Sequence, residues 1–185
     1  MTDWPDCALW DFSIALYARP EVEAACLALQ DDGGLDVNLV LLAAWAAACG
    51  TRLEPALAAR LRSVGEGYQE TVMRPFRAAR KGLGRWPEAT ALDALAAAPL
   101  KALRALELDL EHLEQLRLAA LVERHVPGSQ PTGSALFHAN LEAIYPGRAM
   151  PASAMTAIAA ALDSGRGGAA QSHAGTPKRA RSTDD

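Results

Sequence analysis

The sequence predicts an all-α fold: a single compact bundle of six to eight helices followed by a disordered C-terminal tail. Three observations predict it. Alanine, the strongest helix former, supplies about a fifth of the 185 residues. Aromatic residues are only 5% and β-branched residues are few, which excludes an all-β protein. No run alternates with the period of a strand, and no hairpin turn signal separates two such runs. Half the residues are hydrophobic and 22% are charged, an ordinary globular balance. A chain of this length holds one domain and buries a core without disulfide or metal staples.

The elements follow in order. A first helix is expected over about 7–18, with Asp6 or Asp11 as its N-cap, broken at Arg19-Pro20. Pro20 suits the first turn of a second, about 20–31, which Gly33-Gly34 ends. Asp36 caps a third, 37–49, closed by Gly50. Its sequence VNLVLLAAWAAAC is apolar on every side except at Asn38, which places it at the bundle centre with Leu41, Leu42 and Trp45 buried. Glu54-Pro55 opens a fourth helix to about Ser63, where Gly65 and Gly67 loosen the chain. A fifth, about 66–84, carries Pro75 and is expected to kink there. The Ala-rich stretch 90–98 reads as a short helix or a loop, and Pro99 begins the longest helix, about 99–125, stopped by Val126-Pro127-Gly128. Helices over about 133–145 and 152–162 complete the series. Residues 5–148 then form the helical domain, 149–163 a short terminal helix, and 164–185 a tail too poor in apolar residues to offset its ordering entropy.

Charge and cysteine usage narrow the function classes. The net charge is −4, divided as +2 over residues 164–185 and −6 over the rest, so nucleic acid is not an expected partner. The most apolar run, Val37 to Cys49, has thirteen residues, too few to cross a bilayer. Cys7, Cys26 and Cys49 are odd in number, form no C-x-x-C and lie among Ala and Leu, so all three read as core residues in a reducing compartment. The first residues carry neither a basic nor an apolar signal region. Together these make the cytoplasm the expected location.

Residues 9–45, LWDFSIALYARPEVEAACLALQDDGGLDVNLVLLAAW, are similar to the start of a bacterial family known as domain of unknown function 2390. The stretches Trp10-Asp11-Phe12-Ser13 and Leu35-Asp36-Val37-Asn38 carry most of the similarity. It continues through Val72-x-x-Pro75-Phe76-Arg77-x-x-Arg80-Lys81 and the helix bearing Glu107, Glu111, Glu114 and Gln115, and spans about residues 9–145. The resemblance implies a small helical cytosolic protein and brings no catalytic residues with it.

Candidate chemistry is sparse. Asp32-Gly33-Gly34-Leu35-Asp36 has the spacing of a magnesium-diphosphate motif, but the glycines mark a helix end, so a turn with Asp36 as cap is the expected reading. Asp109-x-x-His112 has the spacing of a metal site on one helix face. His125 and His138 lack the matching acid, so a solvated face is expected and no metal or cofactor is predicted. Lys178-Arg179-Ala180-Arg181 is a basic cluster that reads as a solubilising tail. Asp11, Tyr17 and Asn38 are polar groups set within apolar segments. Capping explains Asp11 and Asn38, and a polar ligand pocket formed by all three is the alternative.

Two charge stripes remain. Val72, Phe76, Ala79 and Leu83 recur at helical spacing and define an apolar face of the fifth helix. Arg74, Arg77, Lys81 and Arg85 then fall on the opposite face, and reversing Arg74, Arg77 and Lys81 to Glu should leave the fold nearly intact. Glu107, Glu111 and Glu114 form a second stripe at the edge of a Leu arc on the long helix. Either both stripes are solvated, or the basic one docks an anionic partner. The absence of a catalytic constellation makes a non-catalytic protein-interaction module, with a protein as partner, the first expectation. A small helical enzyme or a binder of a phosphate-bearing ligand is the alternative.

Overall fold

The computed structural model describes residues 4–31, 33–85, 93–122 and 132–171, with the side chains of 93–96 and 165–171 left aside. Among the described residues every regular element is helical: α1 (Ala8–Tyr17), α2 (Pro20–Asp31), α3 (Val37–Ala48), α4 (Pro55–Tyr68), a π turn (Gln69–Met73), α5 (Arg74–Gly84), α6 (Asp93–Val122), α7 (Ser134–Ile144) and α8 (Ala152–Gln171). Helix α3 is the axis, touching α1, α2, α4, α6, α7 and α8. Nine of its twelve residues are buried, including Leu41 and Leu42, while Trp45 is only half-buried. Its start follows the expected chemistry, since the Asp36 side chain accepts from the Asn38 N–H at 3.0 Å. Its end follows too: Gly50 adopts φ +67° and the Thr51 N–H reaches back to the Ala46 carbonyl at 2.8 Å.

The polar exception on the core side of α7 is Asn140, fully buried. It accepts from the Leu53 N–H at 2.8 Å and donates to the Thr51 carbonyl at 2.9 Å. One amide therefore satisfies the loop between α3 and α4 and fixes where α4 starts.

The largest departure from expectation lies between α4 and α5. The backbone stays helical through Gly65 and Gly67, with no break near Ser63. A Cβ at Gly65 would stand 2.9 Å from Asp36 Oδ2 and 2.9 Å from Leu39 Cδ1. Glycine here admits the start of α3 against α4; it does not end a helix. The helix widens instead at the π turn just before Pro75, where the Arg74 N–H reaches the Gln69 carbonyl. Proline lacks the N–H for the next α-helical bond and its ring crowds the carbonyl four residues back, and a widened turn accommodates both.

Beyond that turn the exposed and inward faces are not the expected ones. Met73 is fully buried, and Arg77 and Arg80 point inward with side chains only 22% exposed. Ala79 and Leu83 are exposed. The inward set 73, 77, 80 is displaced by one residue, about 100°, from the expected apolar set 72, 76, 79. The π turn and α6 together account for this, since the Glu stripe of α6 faces α5 and binds its cations.

Other boundaries shift modestly. Helix α6 already starts at Asp93 and carries Pro99 inside it, whereas its expected end at 125 lies outside the described residues. Helix α8 runs to Gln171, nine residues beyond the expected 162. It packs along α2, and its Ile158 and Leu162 share one core with Leu29 and Leu42. The remaining tail, with its basic cluster, lies outside the described residues. Cys7 and Cys26 are buried, but Cys49 is exposed, at the C-cap of α3.

Candidate functional site

The start of α3 is the floor of the site. Six polar side chains from four stretches of chain meet there, and the direction of each hydrogen bond can be fixed. Arg77 only donates, so its Nη1 identifies the Gln69 atom at 3.3 Å as the carbonyl oxygen. Gln69 must then direct its amide nitrogen to Glu114 Oε2 at 3.0 Å and Asp36 Oδ1 at 3.3 Å. Asn38 likewise donates to Glu114 Oε2 at 2.7 Å, which turns its own oxygen to the Gln115 amide nitrogen at 2.9 Å. The chain of donors ends at Gln115 Oε1, a buried acceptor that no group among the described residues meets. Asn38 thus uses its backbone N–H for the cap, while its side chain bridges α3 to α6.

The carboxyl groups of Asp36 and Glu114 lie within hydrogen-bonding reach of each other. Every protein donor goes to Oδ1 of the one and Oε2 of the other, leaving Oδ2 and Oε1 without a donor. Two carboxylates cannot bond, but a carboxylic acid and a carboxylate can. Burial raises both groups, and the Asp36 charge helps to push Glu114 up to about 9. Glu114 therefore holds the proton at neutral pH and shares it with Asp36. Tyr145 closes this end of the floor, its hydroxyl accepting from the Asp36 N–H at 3.2 Å.

The Arg–Glu layer lies next to it. Arg77 donates through Nε to Glu107 Oε1 at 3.0 Å and through Nη2 to Glu111 Oε1 at 2.6 Å. Arg80 also pairs with Glu107. Burial raises Glu111, and Arg77 pulls it back toward the ionised form. The Glu stripe is therefore neither solvated nor merely peripheral: Glu114 is 1% exposed, and Glu107 and Glu111 are largely covered by arginine.

Above the floor opens a cleft of about 1070 Å³. Its walls include Ile14 and Tyr17 of α1, Arg74 and Lys81 of α5, and Leu108 and Glu111 of α6. Of the expected polar pocket, Tyr17 and Asn38 both line this cleft, but Asp11 is exposed and outside it. Asp11 does not cap α1 either; Cys7 occupies that position without a side-chain cap bond. Of the expected basic stripe, Arg74 and Lys81 stand at the cleft and Arg85 is exposed away from it. Arg77 is part of the buried layer, because α5 is rotated relative to the expected face. Arg74 approaches Glu70 only at 3.9 Å with both side chains 67% exposed, a contact worth almost nothing. Lys81 makes no ion pair among the described residues.

His112 corrects another expectation. It is 7% exposed and stacks on Trp10, ring centroids 4.3 Å apart and 12° from parallel, with Trp4 tilted on it at 4.6 Å. The histidine pins the start of the chain to α6 and faces no solvent. Among the described residues no three His, Cys, Asp or Glu side chains are placed to hold a metal ion. Asp31 is exposed, and Asp32 lies outside the described residues.

Ser13, Gln69, Tyr145 and Arg148 escaped sequence reasoning. Ser13 is buried with its hydroxyl unpartnered at the cleft wall. Arg148 bonds the Gly33 carbonyl at 2.5 Å and lies over the Tyr145 ring, holding the turn before α3. The one available signal was the Glu114-Gln115 pair, two polar residues in succession on a helix otherwise rich in leucine at those turns.

Among the described residues no helix is long and apolar enough to cross a membrane. No curated protein and no solved structure matches the chain. A family model described as protein of unknown function DUF2390 matches residues 8–118, a span that holds every side chain of the floor network and of the Arg–Glu layer except the closing Tyr145, and the chain belongs to that family.

Proposed function

We propose that this is a cytoplasmic, non-catalytic interaction module whose cleft takes an acidic and apolar segment of a partner protein. The carrying observation is the composition of the rim. Ile14, Leu27 and Leu108 line the cleft from three helices and are 51%, 44% and 50% exposed. Large apolar side chains clustered around a concavity favour a partner that covers them. At one end stand Arg74 and Lys81, neither of them held by a strong ion pair, and Arg148 stands at another part of the rim. Counting Glu66 and Glu70, the rim has one positive charge in excess, which complements an acidic segment. The buried free thiol of Cys26 suits a reducing compartment.

Panning a random peptide display library against the full chain tests this. Enriched peptides should combine apolar residues with Asp or Glu. Binding should drop at least tenfold in Leu108→Glu and in Ile14→Glu. Reversal of Arg74 and Lys81 to Glu should shift the selected peptides from acidic to basic. Enriched peptides that are indifferent to all of these variants would reject the cleft as the docking site. The same cations suit a phosphate-bearing small ligand, since a cleft of this size also fits one. A rise in melting temperature with phosphorylated metabolites, alongside failure to select any peptide, would favour that second reading.

A further inference from the structure

We infer that the floor of the cleft is a subsite for a guanidinium or ammonium group, carried on a lysine or arginine side chain of the segment that the rim holds. The inference rests on the cleft being a docking site and adds the chemistry of its deepest contact.

Two residues of the cleft lining carry a buried polar atom that meets no partner among the described residues: Ser13 Oγ on α1 and Gln115 Oε1 on α6. Ser13 is 3% exposed and Gln115 2%, so neither atom is compensated by bulk water. The polarity of Gln115 is not free to reverse. Arg77 fixes Gln69, the carboxyl pair fixes Asn38, and Asn38 requires the Gln115 nitrogen, so the oxygen is the end left without a partner. Ser13 can accept as well as donate, and rotation about one bond aims it. The wall thus offers acceptors and asks for a donor.

Charge selects the kind of donor. The charged groups at the floor and in the layer beside it are the Asp36–Glu114 pair, which keeps one proton, Glu107 and Glu111, against Arg77 and Arg80. Burial lowers His112, under Trp10, and so disfavours its charged form. Three negative charges face two positive ones, leaving the floor with one negative charge in excess beneath a rim with one positive in excess. A cationic nitrogen satisfies both the acceptors and the charge, and its donors are stronger than neutral ones. The apolar wall at Trp10 and Ile14 suits the methylene stem of such a side chain.

The test titrates isotopically labelled full chain with n-butylguanidinium, n-butylammonium, 1-butanol and butanoate, following the Gln115 side-chain amide and the Trp10 indole by NMR. Both cations should shift both signals and bind at least fivefold more tightly than butanol, while butanoate should not reach Gln115. Ser13→Ala removes a hydroxyl that has no partner, so it should fold with an unchanged or raised unfolding midpoint. It should weaken the cations about threefold or more and leave butanol unaffected. Cations no tighter than butanol, a preference for butanoate, or cation binding untouched in Ser13→Ala would each overturn the subsite. If butanol still moves Trp10 in those cases, the cleft stands as an apolar docking site and only its polar floor is misread. If no probe moves any cleft signal, both readings fall.

Discussion

Arg77 and Lys81 lie four residues apart on α5, and a helical wheel puts them on the same stripe. In the fold they have different roles. Arg77 reaches Glu107, Glu111 and Gln69 from a largely covered position, whereas Lys81 stands in solvent at the cleft edge without an ion pair among the described residues. The difference comes from the π turn and from what α6 presents. Widening the helix ahead of Pro75 sets the rotation of α5, and a row of glutamates on α6 makes burial of arginine cheaper than burial of Leu83. A charge stripe is therefore not one object. Part of it is structure, and part is surface available for recognition.

The largest effect should come from attacking the structural part. Arg77→Glu removes the donor to two carboxylates and adds a third carboxylate beside them. Breaking a buried pair from one side costs about 3–5 kcal/mol, and partial exposure brings this site to the lower end. We expect a drop of about 3 kcal/mol or more in chemical denaturation, enough to consume a large share of the stability of a domain this size. A loss below about 1 kcal/mol would mean that the Arg–Glu layer is solvated in solution.

The next effect is set by pH and separates the Asp36–Glu114 pair from the rim. Glu114 is held up at about 9 against an ordinary 4.5. Between those values the folded chain keeps a proton that the unfolded chain releases. Its contribution is complete below about 4.5 and is lost as pH rises toward 9, by up to about 1.4 kcal/mol per pH unit. Thermal unfolding should therefore fall steadily from pH 6 to pH 9. Glu114→Gln keeps a donor for Asp36 and an acceptor for Asn38 and Gln69 while removing the titration, so it should flatten that slope. An equally steep slope in the variant would refute the shared proton.

How much of this was legible can be judged residue by residue. The fold class, the Asp36 cap, the Gly50 stop and the central place of α3 follow from local rules, because caps and all-round apolarity act within one element. Asn38 and Tyr17 were legible as polar residues in apolar company, and both line the cleft. Partners were not legible. Asn38 meets residues 76 and 77 positions away, and His112 meets Trp4 and Trp10 across about a hundred. Gly65 was misread for the same reason: glycine signals a break locally, but here it makes room for a carboxylate from another helix. The rotation of α5 failed most plainly, since hydrophobic periodicity cannot count the extra residue of a π turn or weigh a facing row of glutamates.

The smallest expected effect on stability belongs to the recognition part, and it carries the most information about function. Arg74, Lys81 and Arg85 are exposed, and the one ion pair they make among the described residues, Arg74 to Glu70, is long and solvated. Reversing all three to Glu should change the unfolding free energy by no more than about 0.5 kcal/mol per site, as for surface positions generally. Arg74 and Lys81 line the cleft and Arg85 does not, so the three can be separated. Binding of an acidic peptide selected on the wild-type chain should weaken at least tenfold in the Arg74→Glu, Lys81→Glu double variant. It should weaken less than twofold in Arg85→Glu, which adds an equally exposed negative charge beyond the cleft. Raising the salt concentration should narrow the gap between wild type and the double variant, because exposed charges act over only about 8–10 Å at ordinary ionic strength. Equal losses at all three positions would show attraction to the overall charge of α5 and not to the cleft. An intact fold with no loss at any of them would leave the apolar rim of Ile14, Leu27 and Leu108 to do the binding without the cations.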